Sequence, residues 1–159
     1  MKIKIICLGK IKENYLTDGI NEYKKRISRF ADVQITELPD EKIPDNASTK
    51  EMNEVLKKEG EKILNVLKKD DYIIPLCIEG KMIDSVALAD KFNDITLSGK
   101  SSIAFIIGGS LGLSEEVKNM GHFKLSFSKM TFPHQLMRLV LTEQIYRAFK
   151  INSNQEYHK

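Results

Sequence analysis

The sequence predicts an α/β protein with a mostly parallel β-sheet flanked by helices. Segments typical of strands alternate with amphipathic segments along the chain, which is the pattern of parallel strands joined by crossover helices. Residues 102–107 are almost entirely apolar, which indicates a central strand covered on both faces. The chain of 159 residues has the length of one ordinary domain. We therefore expect a single domain over residues 1–159.

The first half of the chain predicts two strands and two helices. Lys2–Leu8 and Val33–Leu38 have the composition of strands. Apolar residues between them recur at spacings of three and four, which predicts an amphipathic helix. These residues are Leu16, Ile20, Tyr23, Ile27 and Phe30. A long loop, Pro39–Ser48, leads to a second helix that Ser48 or Thr49 caps.

The second half of the chain continues the alternation of predicted strands and helices. The predicted strands are Tyr72–Ile78, which a turn at Glu79-Gly80 closes, Ser102–Ile107 and Phe123–Phe127. The predicted helices are Ser85–Phe92, a short one near Ser114 and a long one from Pro133 to about Lys150. Ligands of parallel sheets bind beyond the carboxyl ends of the strands. We therefore expect a pocket formed by residues 76–79, 108–112 and 126–132.

Composition excludes several classes of protein. Hydrophobic residues make up 42% and charged residues 30% of the chain, as in globular domains. The longest apolar stretch is shorter than the ~18 residues of a membrane span, and no signal peptide opens the chain. Cys7 and Cys77 lie in apolar runs, which predicts two buried reduced thiols, and no spacing suits a metal site. We expect a cytoplasmic protein without a metal and without a membrane partner.

Charge is distributed unevenly along the chain. The formal net charge is only +3. Residues 1–30 contribute +5 and residues 121–159 contribute +4, whereas the middle of the chain is acidic. A fold that brought the two ends together would create a positive face suited to nucleic acid. An ordinary mixed surface is the alternative.

A glycine-rich loop, Gly108–Ser114, follows the predicted central strand. Its glycines allow a ligand to approach the backbone closely, although a plain tight turn would also use them. The spacing does not match the dinucleotide-binding fingerprint. Glu115 and Glu116 open the next helix and would repel an anion there. The loop therefore favours a ligand without phosphates.

The connection Phe127–His134 is unusually apolar for a loop. Either it is buried in the core, or a flat ligand or a partner chain covers it. The last helix offers two pairs at a spacing of four residues, His134 with Arg138 and Glu143 with Arg147. The second pair has the order of a helix-stabilising ion pair, which competes with a role for Arg147 in RNA binding.

The chain ends on Tyr157-His158-Lys159. Chain termini are often frayed, and that is one interpretation of this segment. An aromatic ring, an imidazole and a cation can also stack on a base, move a proton and hold a phosphate.

Four segments of the chain together resemble one family. They are the glycine loop IIGGSLG, the segment LSFSKMTFPHQLMR, the run EQIYRAFKI and the terminal YHK. In this order and spacing they resemble the ribosomal RNA large subunit methyltransferase H family, within the knotted SPOUT methyltransferases. The opening MKIKIICLGKIKENY and the segment ELPDEK fit as well, so the resemblance covers the whole chain.

The resemblance implies a fold and a cofactor. The fold would be an α/β sheet with a deep trefoil knot on its C-terminal side, and the protein would act as a homodimer whose sites the partner completes. The cofactor would be S-adenosylmethionine, which agrees with a ligand that lacks phosphates. The residues that the motifs place around this cofactor are Leu76, Gly108, Phe127, Ser128, Lys129, Met130, Thr131 and Phe132.

The resemblance also implies a substrate and a chemistry. The substrate would be a pseudouridine in helix 69 of the large-subunit rRNA, methylated at N3 on the assembled ribosome. The base nitrogen must lose its proton and attack an activated methyl group in line, so positioning is the main contribution of the enzyme. His158 is the candidate base or proton relay, and Tyr157 would stack on or orient the base. The candidates for RNA contacts are His134, Arg138, Arg147 and Lys159.

Two other functions compete with this interpretation. Many members of the family carry an Arg-Gly pair before the terminal Tyr-His, whereas this chain has Gln155-Glu156, so an arginine contact to RNA is missing there. A non-catalytic module that binds the ribosome or RNA could keep the same fold. A nucleotide-binding α/β domain is the third possibility, and the acidic start of the helix after Ser114 counts against it.

Overall fold

The computed structural model describes residues 1–159 and contains five strands and five helices. The strands are β1 (Lys2–Leu8), β2 (Asp32–Leu38), β3 (Asp71–Met82), β4 (Ser102–Ile107) and β5 (Leu125–Ser126). The helices are α1 (Asn14–Ile27), α2 (Thr49–Val66), α3 (Ser85–Leu97), α4 (Glu115–Asn119) and α5 (His134–Asn152). None of these helices is both long enough and apolar enough to cross a bilayer.

The strands form one sheet in the order β2-β1-β4-β3-β5, and every neighbouring pair is parallel. The predicted α/β fold with a parallel sheet is therefore confirmed. All six residues of β4 are buried, as expected for the central strand. Because the strands are parallel, their carboxyl ends meet at one edge of the sheet.

Helices cover both faces of the sheet. Alternate residues of a strand point to opposite faces, so β4 sends Phe105 towards one apolar cluster and Ile106 towards the other. The larger cluster includes residues of α1, α3 and α5, and the smaller one includes Ile63 of α2 and Val117 of α4. The sheet thus lies between a layer of three helices and a layer of two.

The sequence left open whether Ser48 or Thr49 caps the start of α2. Ser48 is the N-cap, and its side chain accepts a hydrogen bond from the backbone N–H of Glu51 at 3.2 Å. The Glu51 carboxylate accepts in return from the backbone N–H of Ser48 at 3.2 Å. This capping box satisfies two N–H groups that lack partners inside the helix.

The predicted C-terminal boundary of β3 is wrong. The strand continues through Glu79-Gly80 to Met82 instead of turning there. Gly80 is needed for close approach, since a Cβ on it would lie 2.8 Å from the backbone of Lys124 and Leu125. The pairing of β3 with β5 is irregular between Leu76 and Lys81.

Three further predictions differ from the structure, namely the lengths of α3 and β5 and the burial of Cys77. Helix α3 extends to Leu97, beyond the predicted end at Phe92, and β5 contains only two residues instead of Phe123–Phe127. Cys7 is buried as predicted, and burial raises the pKa of its thiol to about 11. Cys77 is only partly buried, so the prediction of two buried thiols is wrong for this one.

A buried ion pair joins the N-terminal ends of two strands. The Nζ atom of Lys4 on β1 lies 2.7 Å and 2.9 Å from the carboxylate oxygens of Asp71 on β3. Burial alone would raise the pKa of Asp71, but the hydrogen bonds from Lys4 and from the Lys68 backbone outweigh it and lower that pKa. The Asp71 side chain is 2% exposed, so the loss of either partner would leave an unpaired charge in the core.

We expect Asp71→Asn to lower the free energy of unfolding by about 3–5 kcal/mol, the usual cost of breaking a buried pair. Urea denaturation checks this value. Glu22→Gln is the control, because it breaks an exposed pair with Arg26 at 2.9 Å that is worth less than about 1 kcal/mol. Equal effects of the two substitutions would contradict the assignment.

The same pair predicts a pH dependence. The pKa of Asp71 is lower in the folded chain than in the unfolded one, so the unfolded state binds a proton first as the pH falls. The stabilisation is complete above the unfolded pKa of about 4. We expect it to disappear as the pH falls from about 4 through the lower folded pKa, and to be absent from the pH profile of Asp71→Asn.

Candidate functional site

One pocket of about 380 Å³ lies beyond the carboxyl ends of β4 and β5 and beside residues 76–79 in the C-terminal half of β3. The three segments that the sequence predicted for this site, residues 76–79, 108–112 and 126–132, all contribute to its wall. Of the residues predicted to surround the cofactor, the structure brings together Leu76, Gly108, Phe127, Ser128, Met130, Thr131 and Phe132. Lys129 is exposed and does not line the pocket.

The glycine loop forms one wall of the pocket through its backbone. Gly109 and Gly112 form an isolated bridge, in which the Gly112 N–H donates to the Gly109 carbonyl at 3.0 Å. A Cβ on Gly108 would overlap the Gly112 carbonyl, so only glycine allows this close approach. The N–H groups of Ser110 and Leu111 donate no hydrogen bond within the chain, which leaves them free for a ligand.

The apolar connection after β5 forms the rim of the pocket. Met130 is 74% exposed and Phe132 is 40% exposed, so a loop buried in the core is the wrong interpretation. The loop is shaped by short polar contacts instead. Ser126 Oγ donates to the Ser128 carbonyl at 3.1 Å, and the Met130 N–H donates to Ser128 Oγ at 3.0 Å.

An ion pair that the sequence did not predict lies in the pocket wall. Lys118 of α4 contacts the carboxylate of Glu79 on β3, and both residues line the pocket. The hydrogen bond from Lys118 lowers the pKa of Glu79, so the carboxylate stays ionised at neutral pH. No sequence motif indicated Lys118, because its contact with Glu79 joins two segments, α4 and β3, that are distant in sequence and meet only in the folded chain.

Arg138 is a structural residue. Its side chain is 1% exposed, and its guanidinium donates to the carbonyls of Leu8 and Gly9 at 2.7 and 2.8 Å and to the Glu37 carboxylate at 2.8 Å. The prediction that Arg138 contacts RNA phosphates is therefore wrong, because the chain itself encloses the guanidinium. The residue ties α5 to the ends of β1 and β2.

His134 lies in the wall of the pocket at the start of α5. Burial and the nearby Arg138 guanidinium lower the pKa of its imidazole below the ordinary value. The ring is consequently neutral at pH 7. A neutral ring in the pocket wall suits a contact with the ligand there better than an ion pair with an RNA phosphate.

The C-terminal tail folds back onto α5 instead of fraying. The carboxylate oxygen Oε1 of Glu143 accepts hydrogen bonds from the Tyr157 hydroxyl at 3.1 Å and from Arg147 Nε and Nη2 at 3.0 and 2.5 Å. The Tyr157 ring packs edge-on against Tyr146, with centroids 4.9 Å apart. The expected Glu143–Arg147 ion pair is therefore present, and it also holds the tail.

Protonation of the tail follows from these contacts. Burial and the hydrogen bond to Glu143 raise the pKa of Tyr157 well above its usual value, so the side chain stays a neutral phenol. Arg147 Nη1 lies 3.3 Å from Nδ1 of His158. Since a guanidinium only donates, Nδ1 accepts here and the proton of a neutral imidazole is on Nε2.

His158 lines a second cavity of about 360 Å³. This cavity shares Leu125, Ser126 and Phe127 with the first pocket. One short segment of chain therefore separates the tail imidazole from the pocket at the strand ends. Lys159 is exposed beyond it.

An open parallel sheet with a glycine-lined pocket at its carboxyl edge is typical of α/β proteins that bind a small organic ligand. The family profile described as "Predicted SPOUT methyltransferase" matches residues 1–158. The chain belongs to this family of methyltransferases, whose reaction requires a methyl donor.

Two relatives of known name match over their full length. The chain is 58% identical to the "Ribosomal RNA large subunit methyltransferase H" of Clostridium novyi (strain NT) and 54% identical to that of Clostridioides difficile (strain 630). Both matches cover 159 residues and 100% of each chain.

A solved structure supports the fold independently. "The structure of a probable methylase family protein from Haemophilus influenzae Rd KW20" matches with a TM-score of 0.52 at 15% identity. The match covers 99% of this chain and 70% of that chain.

We expect Gly108→Ala to lower the affinity of the pocket for a methyl donor at least about tenfold, which corresponds to 1.4 kcal/mol. The added Cβ must displace the Gly112 carbonyl and so change the shape of the pocket wall. Gly109→Ala is the matched control, since its Cβ would meet Glu59 and Leu8 at ordinary contact distances of 3.5 and 3.6 Å. Titration calorimetry measures the affinities, and equal values for the two variants would contradict the role of Gly108.

Proposed function

We propose that this chain methylates N3 of a pseudouridine in helix 69 of large-subunit (23S) rRNA on the assembled ribosome, with S-adenosylmethionine as the methyl donor. The observation that carries the proposal is the pocket where the three predicted segments meet, in a chain 58% identical over its full length to an rRNA methyltransferase. The base, the atom and the rRNA hairpin rest on the family resemblance.

The pocket suits a methyl donor of this kind. Its wall combines apolar side chains with free backbone N–H groups of the glycine loop, a combination that recognises a flat ring by shape and by a few polar contacts. Glu115 and Glu116 in the first turn of α4 disfavour a phosphate there. Leu76, Gly108, Phe127, Ser128 and residues 130–132 would hold the cofactor, which supplies a methyl group on a sulfonium when bound.

The tail supplies groups that can orient a base and accept a proton. The N3–H of the pseudouridine must be deprotonated before or during transfer. His158 is the proposed base or proton relay. In the docked tail its Nδ1 is held by Arg147 at 3.3 Å, so proton acceptance at this atom requires the imidazole to leave Arg147. Tyr157 stays a neutral phenol and would orient the base or stack on it.

We also propose that the protein acts as a homodimer in which the partner completes each site. Exposed apolar side chains at the end of β3 and the start of α3, namely Ile78, Met82 and Val86, give a second copy an apolar surface to contact. The trefoil knot implied by the resemblance stays a prediction. A ribosomal substrate would put the activity in the cytoplasm.

We expect deletion of Tyr157–Lys159 to abolish methyl transfer and to leave cofactor binding intact, because the tail lies outside the first pocket. Transfer of labelled methyl groups to ribosomes and calorimetry with S-adenosylmethionine measure the two properties. Glu156→Gln is the control, since this exposed tail side chain has no hydrogen bond. Full activity of the truncated chain would refute the catalytic role of the tail.

The same assay separates the proposed enzyme from a binding module. A full-length protein that binds ribosomes and S-adenosylmethionine but transfers no methyl group under any ribosome preparation would favour a non-catalytic ribosome-binding protein.

A further inference from the structure

We propose that a basic groove between α1 and α5 holds the phosphate backbone of the rRNA next to the target base. The basic groove is defined by Lys25, Arg26, Arg29 and Lys150. None of these residues was among the candidates for RNA contacts. The inference rests on the proposed function and assigns the surface by which that substrate is bound.

The groove has the size and charge of a polyanion site. It encloses about 650 Å³, and its only acidic side chain is Glu22. Glu22 pairs with Arg26 at 2.9 Å, an exposed contact that is worth little and is easily exchanged for a phosphate. Lys25 and Arg29 are exposed and have no ion pair, and both line the groove.

The fold offsets part of the electrostatic repulsion among these cations, because it places three of them at helix ends. Lys25 and Arg26 lie in the last turn of α1, and Lys150 lies in the last turn of α5. The carboxyl end of a helix carries partial negative charge, which stabilises nearby cations. The two helix ends converge because Tyr23 of α1 packs against Tyr146 of α5 with centroids 6.1 Å apart.

The groove is continuous with the folded tail. Tyr146 lines the groove and also contacts the Tyr157 ring at 4.9 Å. Arg147 lies one turn of α5 before Lys150 and holds both Tyr157 and His158. A strand of RNA whose base reaches the tail would therefore have its phosphates beside the basic groove.

The surroundings favour RNA over a membrane surface. An anionic bilayer is bound by cations together with apolar side chains that insert between the lipids. None of the strongly exposed apolar side chains belongs to the groove. Phe30, one of the two aromatic residues of the groove, instead stacks on Phe149, with ring planes 3° apart.

The test compares two double variants that each remove two positive charges. Lys25→Gln with Arg29→Gln removes two unpaired cations from the groove, whereas Lys57→Gln with Lys58→Gln changes exposed lysines of α2. Affinity for purified ribosomes is measured over a series of salt concentrations. Each lost phosphate contact lowers the slope of log K against log salt by about 1, so we expect a decrease of about 2 for the groove variant.

We also expect the groove variant to raise the KM for ribosomes at least about tenfold at physiological salt, and the α2 variant to match the wild type. Unchanged slope and KM in the groove variant would overturn the proposal, and so would a loss of binding to anionic vesicles with ribosome binding unchanged. A wild type that binds ribosomes without methylating them would refute the proposed function alone, since the salt series would still test the groove.

Discussion

The position of α5 depends on one buried side chain, the guanidinium of Arg138. It binds the carbonyls of Leu8 and Gly9 where β1 ends and the carboxylate of Glu37 near the end of β2. Hydrogen bonds from a charged, fully enclosed donor are strong and directional, so they fix the helix against the sheet. The same helix then delivers His134 to the pocket at one end and the Glu143–Arg147 pair to the tail at the other. The candidate pocket and the tail are therefore both positioned by one rigid helix.

Sequence patterns predicted the strands and helices well where buried residues follow a regular pattern along the chain. Central β4, which is almost entirely apolar, begins and ends at the predicted residues, and the predicted amphipathic helix is present as α1. The errors come from contacts between distant segments. Gly80 looks like a turn residue, yet it is a glycine because the backbone before β5 passes against it. Such a close approach leaves no trace in the local sequence.

In the candidate site, too, sequence patterns predicted some features, whereas contacts between distant segments could not be predicted. The three pocket segments follow from the rule that ligands bind at the carboxyl ends of parallel strands, and the structure brings them together. Arg138 looked like a surface cation on a helix, and only the fold shows that it is enclosed. The basic ends of the chain predicted a positive face, and α1 and α5 form it at the groove. Lys118 in the pocket wall could not be predicted, because its partner Glu79 is distant in sequence.

We propose that the pocket at the strand ends binds a methyl donor without phosphates. Titration calorimetry of the full chain with S-adenosylmethionine, its demethylated product, ATP and NAD measures this binding. We predict micromolar binding of the first two ligands and no binding of ATP or NAD. Binding of ATP or NAD without binding of S-adenosylmethionine or its product would contradict it.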